Sequence, residues 1–546
     1  MTDDSASSPA VGGTAHLVAS GDLRESANRA GWSAQAEMER RLREVFGTMG
    51  VSLERAHPFD EDRGHGFIST QRMGMDVFRT IDRDAPLVVA ESVWQYSHHV
   101  LAGLRRHRGP ILTVANWDGT WPGLVGLLNL NASLTKMQVP YATLWSRDFT
   151  DEWFLEGIAS WLRDGTVRHD LSHVHDLDVS AVTPQAAAVG ERVADGLLDR
   201  QAILGVFDEG CMGMYNAIFD DELLNPLGIY KERLSQSALL AEMREVPDGY
   251  VDEIHDWLTG RGLTFAYGDD PATELTRDQV DHQLRMYVAA ARMADRFGCD
   301  AIGIQYQQGL AQMVPASDLA EGLLNDRDRP PARRDDGSEI RPGDPIVHFN
   351  EVDEGAGVDA LLTNVVWNEL GFDPSTTLHD VRWGEHYTGR GVDDFVWVFE
   401  ISGSVPPTHL TGGYGGAVSE RQPPMYFPLG GGTIKGVSRP GPVVWSRVFI
   451  MDGTLHLDIG RATSVELPPE ETERRWQATT PQWPLMHAVL HGVSRDQFMA
   501  RHRANHLNVA YAPDERSADL ALEAKAGAFA RLGVEVHRCG DVALGG

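Results

Sequence analysis

The segment 350–354 concentrates acidic side chains behind a short apolar run. It reads Asn-Glu-Val-Asp-Glu and follows Ile346–Phe349, which predicts a strand. The carboxyl ends of strands in parallel α/β sheets are where ligands usually bind. An exposed acidic turn has the same pattern, because most clusters of Asp and Glu lie at the surface. The pattern by itself leaves both interpretations open and does not single out a metal site.

Motifs of nucleotide binding and covalent catalysis are missing from the sequence. Neither a GxxxxGK[ST] phosphate loop nor a GxSxG nucleophile elbow occurs. The turn Gly210–Gly213 follows a predicted strand but lacks the three-glycine dinucleotide pattern. Few residues could form a Schiff base, because lysine is restricted to Lys136, Lys231, Lys435 and Lys525. Acid–base and metal chemistry remain as the natural options.

Composition and charge describe a large acidic globular protein. The 546 residues exceed one typical domain, so we expect about two to four domains. Hydrophobic residues make up 42% and charged residues 23%, which supplies material for several cores. The formal net charge of −31 disfavours nucleic acid and anionic membranes as partners. No apolar run is long enough to span a bilayer.

The cysteines and the N-terminal composition predict a cytoplasmic protein. Cys211, Cys299 and Cys539 are far apart and odd in number, so neither a zinc ribbon nor a disulfide framework is indicated. Residues 1–22 are rich in Ser, Ala and Gly and lack the basic start and apolar core of a signal peptide. We therefore expect a flexible tail over this stretch.

Strands that alternate with helices predict an α/β fold with parallel sheets. Short apolar runs predict strands at Leu87–Glu91, Ile111–Ala115, Val139–Trp145, Ala202–Phe207 and Ala301–Gln305. A helix is predicted at Asp318–Leu324. From residue 346 onward, strand-like runs are separated by Gly/Pro turns. We predict a tail over 1–22, an N-terminal α/β domain over 23–200, a second α/β domain over 201–345 that carries Glu321, and a β-rich C-terminal domain over 346–546 that carries Asp353 and His506.

Several segments, in order along the chain, resemble L-fucose isomerase and its D-arabinose isomerase relatives. Residues 303–307 resemble that family's Gly-Phe-Gln-x-Gln, and residues 321–325 resemble its Glu-Ala-Ile-Leu-Asn at the same spacing. Residues 351–353 resemble its Glu-Asn-Asp, residues 464–468 match Ser-Val-Glu-Leu-Pro, and residues 504–506 match Ala-Asn-His. The resemblance covers most of the chain.

The resemblance implies a fold, a metal site and a reaction. The fold is L-fucose isomerase-like, with two Rossmann-like domains before the β-rich one. Glu321, Asp353 and His506 would hold Mn²⁺, with Co²⁺ or Mg²⁺ as alternatives. Glu321 and Asp353 would also share proton transfer between C1 and C2 of a hexose through a metal-stabilised cis-enediolate. The substrate contacts that it implies are Trp94, Gln305, Tyr426 and Asn505.

The resemblance also bears on assembly and substrate. In the family a neighbouring subunit supplies the tryptophan, so we expect a homo-oligomer, trimer or hexamer, with Trp94 near a subunit interface. The family's first strand carries an Arg that reaches the sugar, but His16–Gly21 contains none. We therefore expect a different hexose, for example one of the 6-deoxy-6-sulfo type. A metal-dependent epimerase or aldolase and a non-catalytic sugar-binding protein stay open as alternatives.

Overall fold

The computed structural model describes residues 13–541, apart from the side chain of Cys211. The fold is mixed α/β, with two larger parallel sheets and one mixed sheet. The chain divides into two units. The first unit holds the residues through Asp170 together with Met499–Asn505, and the second unit holds Leu171–Phe498 with the residues from His506 on. Within the described residues, no helix combines the length and apolar character that a membrane crossing needs.

The first unit is built around a five-stranded parallel sheet. Its elements are β1 (Thr14–Val18), α1 (Glu25–Thr48), β2 (Ser52–Arg55), α2 (Gln71–Val77), β3 (Leu87–Glu91), α3 (His98–Leu104), β4 (Ile111–Asn116), α4 (Gly123–Lys136), β5 (Ala142–Ser146) and α5 (Glu152–Asp164). The strand order is β2-β1-β3-β4-β5. All residues of β3 and β4 are buried, as in parallel strands whose two faces are both covered.

The first strand lies inside the predicted flexible tail, so that prediction does not hold for Thr14–Val18. β1 pairs in parallel with β2 on one side and β3 on the other, and Leu17 and Val18 are fully buried. The apolar run is too short to stand out from its Ser- and Gly-rich flanks. Neighbouring strands far along the chain supply its hydrogen bonds, which composition cannot reveal. Residues 1–12 of the predicted tail lie outside the described residues.

The second unit contains a four-stranded parallel sheet and an eight-stranded mixed sheet. Its elements are β6 (Val174–Asp176), α6 (Pro184–Arg200), β7 (Ala202–Phe207), α7 (Asp221–Leu224), β8 (Ile229–Leu234), α8 (Gln236–Glu245), α9 (Asp248–Gly260), β9 (Thr264–Phe265), α10 (Arg277–Phe297), β10 (Ala301–Ile304), α11 (Asp318–Leu324), β11 (Val347–His348), α12 (Glu354–Leu370), β12 (Thr377–Gly389), β13 (Val392–Glu400), β14 (Val418–Ser419), β15 (Gly441–Met451), β16 (Thr454–Ser464), α13 (Pro469–Gln477), β17 (Leu485–Leu490), α14 (Arg495–Arg501), β18 (His506–Tyr511), α15 (Glu515–Arg531) and β19 (Glu535–Cys539).

The two sheets of the second unit differ in topology. The parallel sheet has the order β11-β10-β7-β8, so the carboxyl ends of these strands share one edge. The mixed sheet has the order β15-β18-β12-β13-β17-β16-β19-β6. β15 also pairs with β16, so the six strands β15, β18, β12, β13, β17 and β16 close into a barrel. Closure leaves none of these six strands with an exposed edge.

A buried polar network fixes α12 within the second unit. Lys525 on α15 donates hydrogen bonds to Asp359, to Thr363 and to Ser446 on β15. The Ser446 hydroxyl also donates to Asp359, at 2.8 Å. All four side chains are buried. The network therefore ties α12 to both α15 and β15.

We expect Lys525→Met to lower the free energy of unfolding by about 3–5 kcal/mol, because Asp359 would keep a buried charge without its cation. Chemical denaturation followed by circular dichroism measures this loss. The double variant Lys525→Met/Asp359→Leu removes both charges and is expected to recover most of the stability. A single variant as stable as the wild type would contradict a charged pair in the interior.

Candidate active site

The carboxyl edge of the parallel sheet in the second unit carries strained turns. Asp208, Tyr306 and Glu351 follow the ends of β7, β10 and β11 and have φ values of +61°, +49° and +58°. The next residue, Val352, has a φ of +54°. Such angles are costly outside glycine, most of all for a β-branched side chain. Strain of this kind is retained where the surroundings impose it and clusters at functional sites, so this edge is the candidate site.

His506 lies among carboxylates at this edge. It begins β18, where it is paired with Asp380 of β12. Its Nδ1 is 2.8 Å from Asp353 Oδ2, and its Nε2 is 3.3 Å from Asp380 Oδ1 and 3.8 Å from Glu351 Oε2. Burial opposes the charged imidazole, but the hydrogen bond with Asp353 and the three nearby carboxylates raise the pKa of His506. A cation at Nε2 would therefore find carboxylate oxygens already in place.

Asp353 is saturated with hydrogen bonds. Its Oδ2 accepts from Arg447 Nη1 at 2.7 Å and faces His506 Nδ1, while its Oδ1 accepts from Arg447 Nη2 at 2.9 Å and from the Ala356 backbone N–H at 3.1 Å. These contacts use about four lone-pair positions, which is the full capacity of a carboxylate. Although burial acts to raise it, Arg447 and His506 hold the pKa of Asp353 well below its usual range.

A glycine allows Arg447 to reach Asp353. Gly355 lies in the first turn of α12, and a Cβ there would come within 2.7 Å of the Val448 carbonyl oxygen and 2.9 Å of Arg447 Nη2. Any larger residue would push β15 away from the start of the helix. The close approach lets Arg447 pair with Asp353 through two hydrogen bonds, and Asp353 at the same time caps α12.

Glu321 contributes a buried carboxyl group from α11. Its Oε2 lies 3.9 Å from His348 Nδ1. Burial first of all, and then the charges of Asp318 and Glu351, raise the pKa of Glu321 well above its ordinary value. Gln307 donates a hydrogen bond to Glu351 Oε1 at 3.2 Å. Glu351 thus interacts electrostatically with Glu321 on one side and with His506 on the other.

The predicted substrate contacts fall in different units. Gln305 directly follows β10, and its amide is held by Gln236 and Gln308 at 3.2 and 2.7 Å. Tyr426 is also in the second unit, is 8% exposed and packs its ring 6.3 Å from that of Trp483. The two other predicted contacts belong to the first unit and are both buried: Trp94 and Asn505.

The donors at this site are of the types that a divalent cation binds, and the carboxylate that faces His506 Nε2 is Glu351 rather than Asp353, which the resemblance implies. Carboxylate oxygens and one imidazole suit a hard to borderline ion. Asp353 could ligate such an ion only by giving up a hydrogen bond. Glu351 and Asp380 face His506 Nε2 at 3.8 and 3.3 Å, close to the spacing of about 3 Å between ligands that share one ion. Glu351 and Asp380 each lie close to His506, but no three donor atoms of Glu321, Glu351, Asp380 and His506 lie within 4.8 Å of one another, so Glu321 would complete an ion site only after its side chain moves.

No family model and no curated protein matches this sequence. The assignment of the site therefore depends on its geometry and on the short motifs of the sequence.

Asp380 and Arg447 were missed by the sequence analysis. Both lie within long strands of the mixed sheet, where a charged residue usually faces solvent. Arg447 is instead 1% exposed. Pairing across strands brings Asp380 beside His506, more than a hundred positions along the chain, and no local pattern signals such a register.

Proposed function

We propose that the protein is a divalent-metal-dependent aldose–ketose isomerase that acts on a hexose or modified hexose. One observation carries this proposal. At the carboxyl edge of a parallel sheet, the buried carboxyl group of Glu321 interacts electrostatically with Glu351, and Glu351 and Asp380 face the imidazole of His506 that Asp353 orients. Such a pairing of an acid–base group with cation ligands is what proton transfer next to a carbonyl requires.

We further propose that the fold is L-fucose isomerase-like. The five-stranded and four-stranded parallel sheets support two Rossmann-like parts, and the eight-stranded mixed sheet supports the β-rich part. A homo-oligomer in the cytoplasm, with Trp94 near a subunit interface, completes the proposal.

Glu321, Glu351 and His506 would hold the ion. When bound, a divalent cation supplies polarisation of the sugar carbonyl and stabilisation of the developing oxyanion. Asp353 is a positioning residue in this arrangement. It accepts the Nδ1–H of His506, which fixes the tautomer whose Nε2 lone pair faces Glu351 and Asp380.

Glu321 moves the proton. As a carboxylate it would take the proton from the carbon next to the carbonyl, and as a carboxylic acid it would return that proton to the former carbonyl carbon, while the hydroxyl proton passes from one enediolate oxygen to the other. Burial keeps competing water away from this carboxyl group, which is 3% exposed as a residue. The nearby charges of Asp318 and Glu351 favour its protonated form, and a bound cation favours its ionised form, so it can pass between the two states.

Incubation of the full-length protein with aldohexoses and sulfonated hexoses in D₂O with Mn²⁺ tests the function. We expect NMR to detect the ketose, with deuterium at C1 or C2, and chelation to abolish turnover. Shorter products would identify an aldolase, and an aldose of inverted configuration would identify an epimerase. Turnover that resists chelation would contradict the role of the ion, and ion binding with no conversion of any sugar would favour the sugar-binding alternative.

A further inference from the structure

We propose that the second unit carries a separate Zn²⁺ site made of His456, Glu535 and His537. None of these residues belongs to the candidate active site. His456 lies on β16, and the other two lie on β19, which pairs with β16 in parallel. The register places His456 opposite Glu535 and Asp458 opposite His537. Adjacent strands therefore bring two imidazoles and one carboxylate to the same place.

The donor atoms of this His/Glu/His cluster have the spacing of metal ligands. His456 Nδ1 is 3.1 Å from His537 Nε2 and 3.7 Å from Glu535 Oε2. The three donors lie within 4.8 Å of one another. Ligands bound to one tetrahedral Zn²⁺ at about 2.0–2.1 Å are separated by about 3.3 Å. The distance between the two nitrogens is close to this value, and rotations of the two imidazoles and of the Glu535 side chain would bring the three donors onto one ion.

Hydrogen bonds on the far side of each imidazole point both lone pairs into the cluster. His537 Nδ1 lies 2.9 Å from Asp176 Oδ1, an acceptor, so this nitrogen carries the proton and Nε2 carries the lone pair. His456 Nε2 lies 3.2 Å from the Met451 carbonyl oxygen and 3.1 Å from Thr454 Oγ1; the carbonyl can only accept, so a proton on Nε2 leaves the lone pair on Nδ1. Where both rings are neutral, two lone pairs face each other at 3.1 Å, and a bound cation would satisfy both of them, as a proton between the two nitrogens would in its absence.

The surroundings of the cluster resemble those of zinc sites. A carboxylate or carbonyl behind each ligating histidine is the usual outer arrangement of such sites. The His456 ring lies between those of Phe449 and His537, with its centroid 5.4 Å from each, and meets the His537 ring edge to edge. Thr454 Oγ1 lies 3.3 Å from Glu535 Oε1 and helps to position that carboxylate. The Glu535 side chain is 59% exposed, so water can reach the fourth ligand position.

An ion at this cluster would link three strands at the end of the mixed sheet. Asp176 belongs to β6, which pairs with β19, and β19 pairs with β16. A ligand that binds the folded state and not the unfolded state stabilises the fold by mass action. The site would therefore stabilise this edge of the sheet, and it would take no part in the proposed isomerase reaction.

Metal loading of the full-length protein tests the site. The metal-free wild type and the His537→Gln variant would each be dialysed against Zn²⁺ or Co²⁺. Elemental analysis would then give the number of ions bound per chain. We expect His537→Gln to bind one ion fewer, to lack the intense visible absorption of four-coordinate Co²⁺, and to lose the increase in Tm that Zn²⁺ causes. His386→Gln is the matched control, because His386 also lies on a strand of the sheet, 3.7 Å from a carboxylate, and is outside the cluster.

Two more variants separate this site from the proposed active site. His506→Gln is expected to lose turnover and to keep the Zn²⁺-dependent increase in Tm, whereas His537→Gln is expected to keep turnover. Asp176→Asn alters an exposed side chain and is expected to weaken Zn²⁺ binding by about 10–100-fold without misfolding. If His537→Gln and Asp176→Asn bind as much Zn²⁺ as the wild type, with the same affinity, the proposed site is overturned.

Discussion

Glu321→Gln is expected to reduce kcat by about 10³-fold or more while the fold is retained. Glutamine has nearly the same shape and volume as glutamate, but its amide can neither take nor return a proton. Burial and the charges of Asp318 and Glu351 favour the uncharged form of Glu321, so a neutral amide adds no buried charge. Turnover with saturating Mn²⁺ and sugar, together with circular dichroism, measures the effect.

Asp318→Asn is the matched control for this prediction. Asp318 lies on the same helix, is equally buried and accepts a hydrogen bond from Ser402 at 3.0 Å. Burial raises its pKa to about 7, so it too is an acidic group in an apolar environment. Because it belongs neither to the proposed ion ligands nor to the proton-transfer group, we expect its variant to keep most of the turnover, with a pH–rate profile shifted to lower pH because its charge contributes to the raised pKa of Glu321. Near-normal activity in Glu321→Gln would contradict the assignment of the acid–base group.

Glu351→Gln and Asp353→Asn are expected to fail in different ways. Glu351 faces His506 Nε2, so the loss of its charge should raise the Kd for Mn²⁺ by about 100-fold or more. Its stability should change little, because a glutamine oxygen can still accept the hydrogen bond from Gln307. Asp353→Asn leaves the buried Arg447 without its carboxylate. We expect it to lower the free energy of unfolding by about 3–5 kcal/mol, because an unpaired buried charge remains.

Calorimetric titration with Mn²⁺ and denaturation, performed on both variants, separate the two roles. The neighbouring acidic residue Glu354 supplies the control, because it pairs with Lys231 and not with His506. Glu354→Gln should leave the Kd for Mn²⁺ unchanged. If Asp353→Asn abolishes ion binding without loss of stability, while Glu351→Gln binds normally, the ligand is Asp353, as the family resemblance implies.

Local patterns predicted many elements of the fold. The predicted strands Leu87–Glu91 and Ala202–Phe207 and the predicted helix Asp318–Leu324 are confirmed with the same bounds. Each is a short run whose burial is evident from its own residues and the turn signals around it. The segment after residue 346 was harder to predict, because it contains two long helices, α12 and α15, among its strands.

α12 shows why a helix can escape sequence analysis. Thirteen of its 17 residues are buried, including polar ones such as Asp359 and Thr363. A helix that is buried over most of its length has little polar face, and its sequence therefore lacks the period that identifies an amphipathic helix. Its stability depends on partners such as Lys525, which pairs with Asp359 and lies 166 positions after it in the chain. Only the packed structure reveals these partners.

The sequence by itself determined the α/β class and drew attention to Glu321, the acidic turn at residues 350–354 and His506. Only the tertiary structure decided what each side chain in that turn faces. Asp353 is paired with Arg447, 94 positions later, whereas Glu351, two residues before it, faces His506. Neighbouring residues in a turn point in different directions, and their roles depend on side chains that distant strands bring to them. A local pattern of acidic residues cannot contain that information.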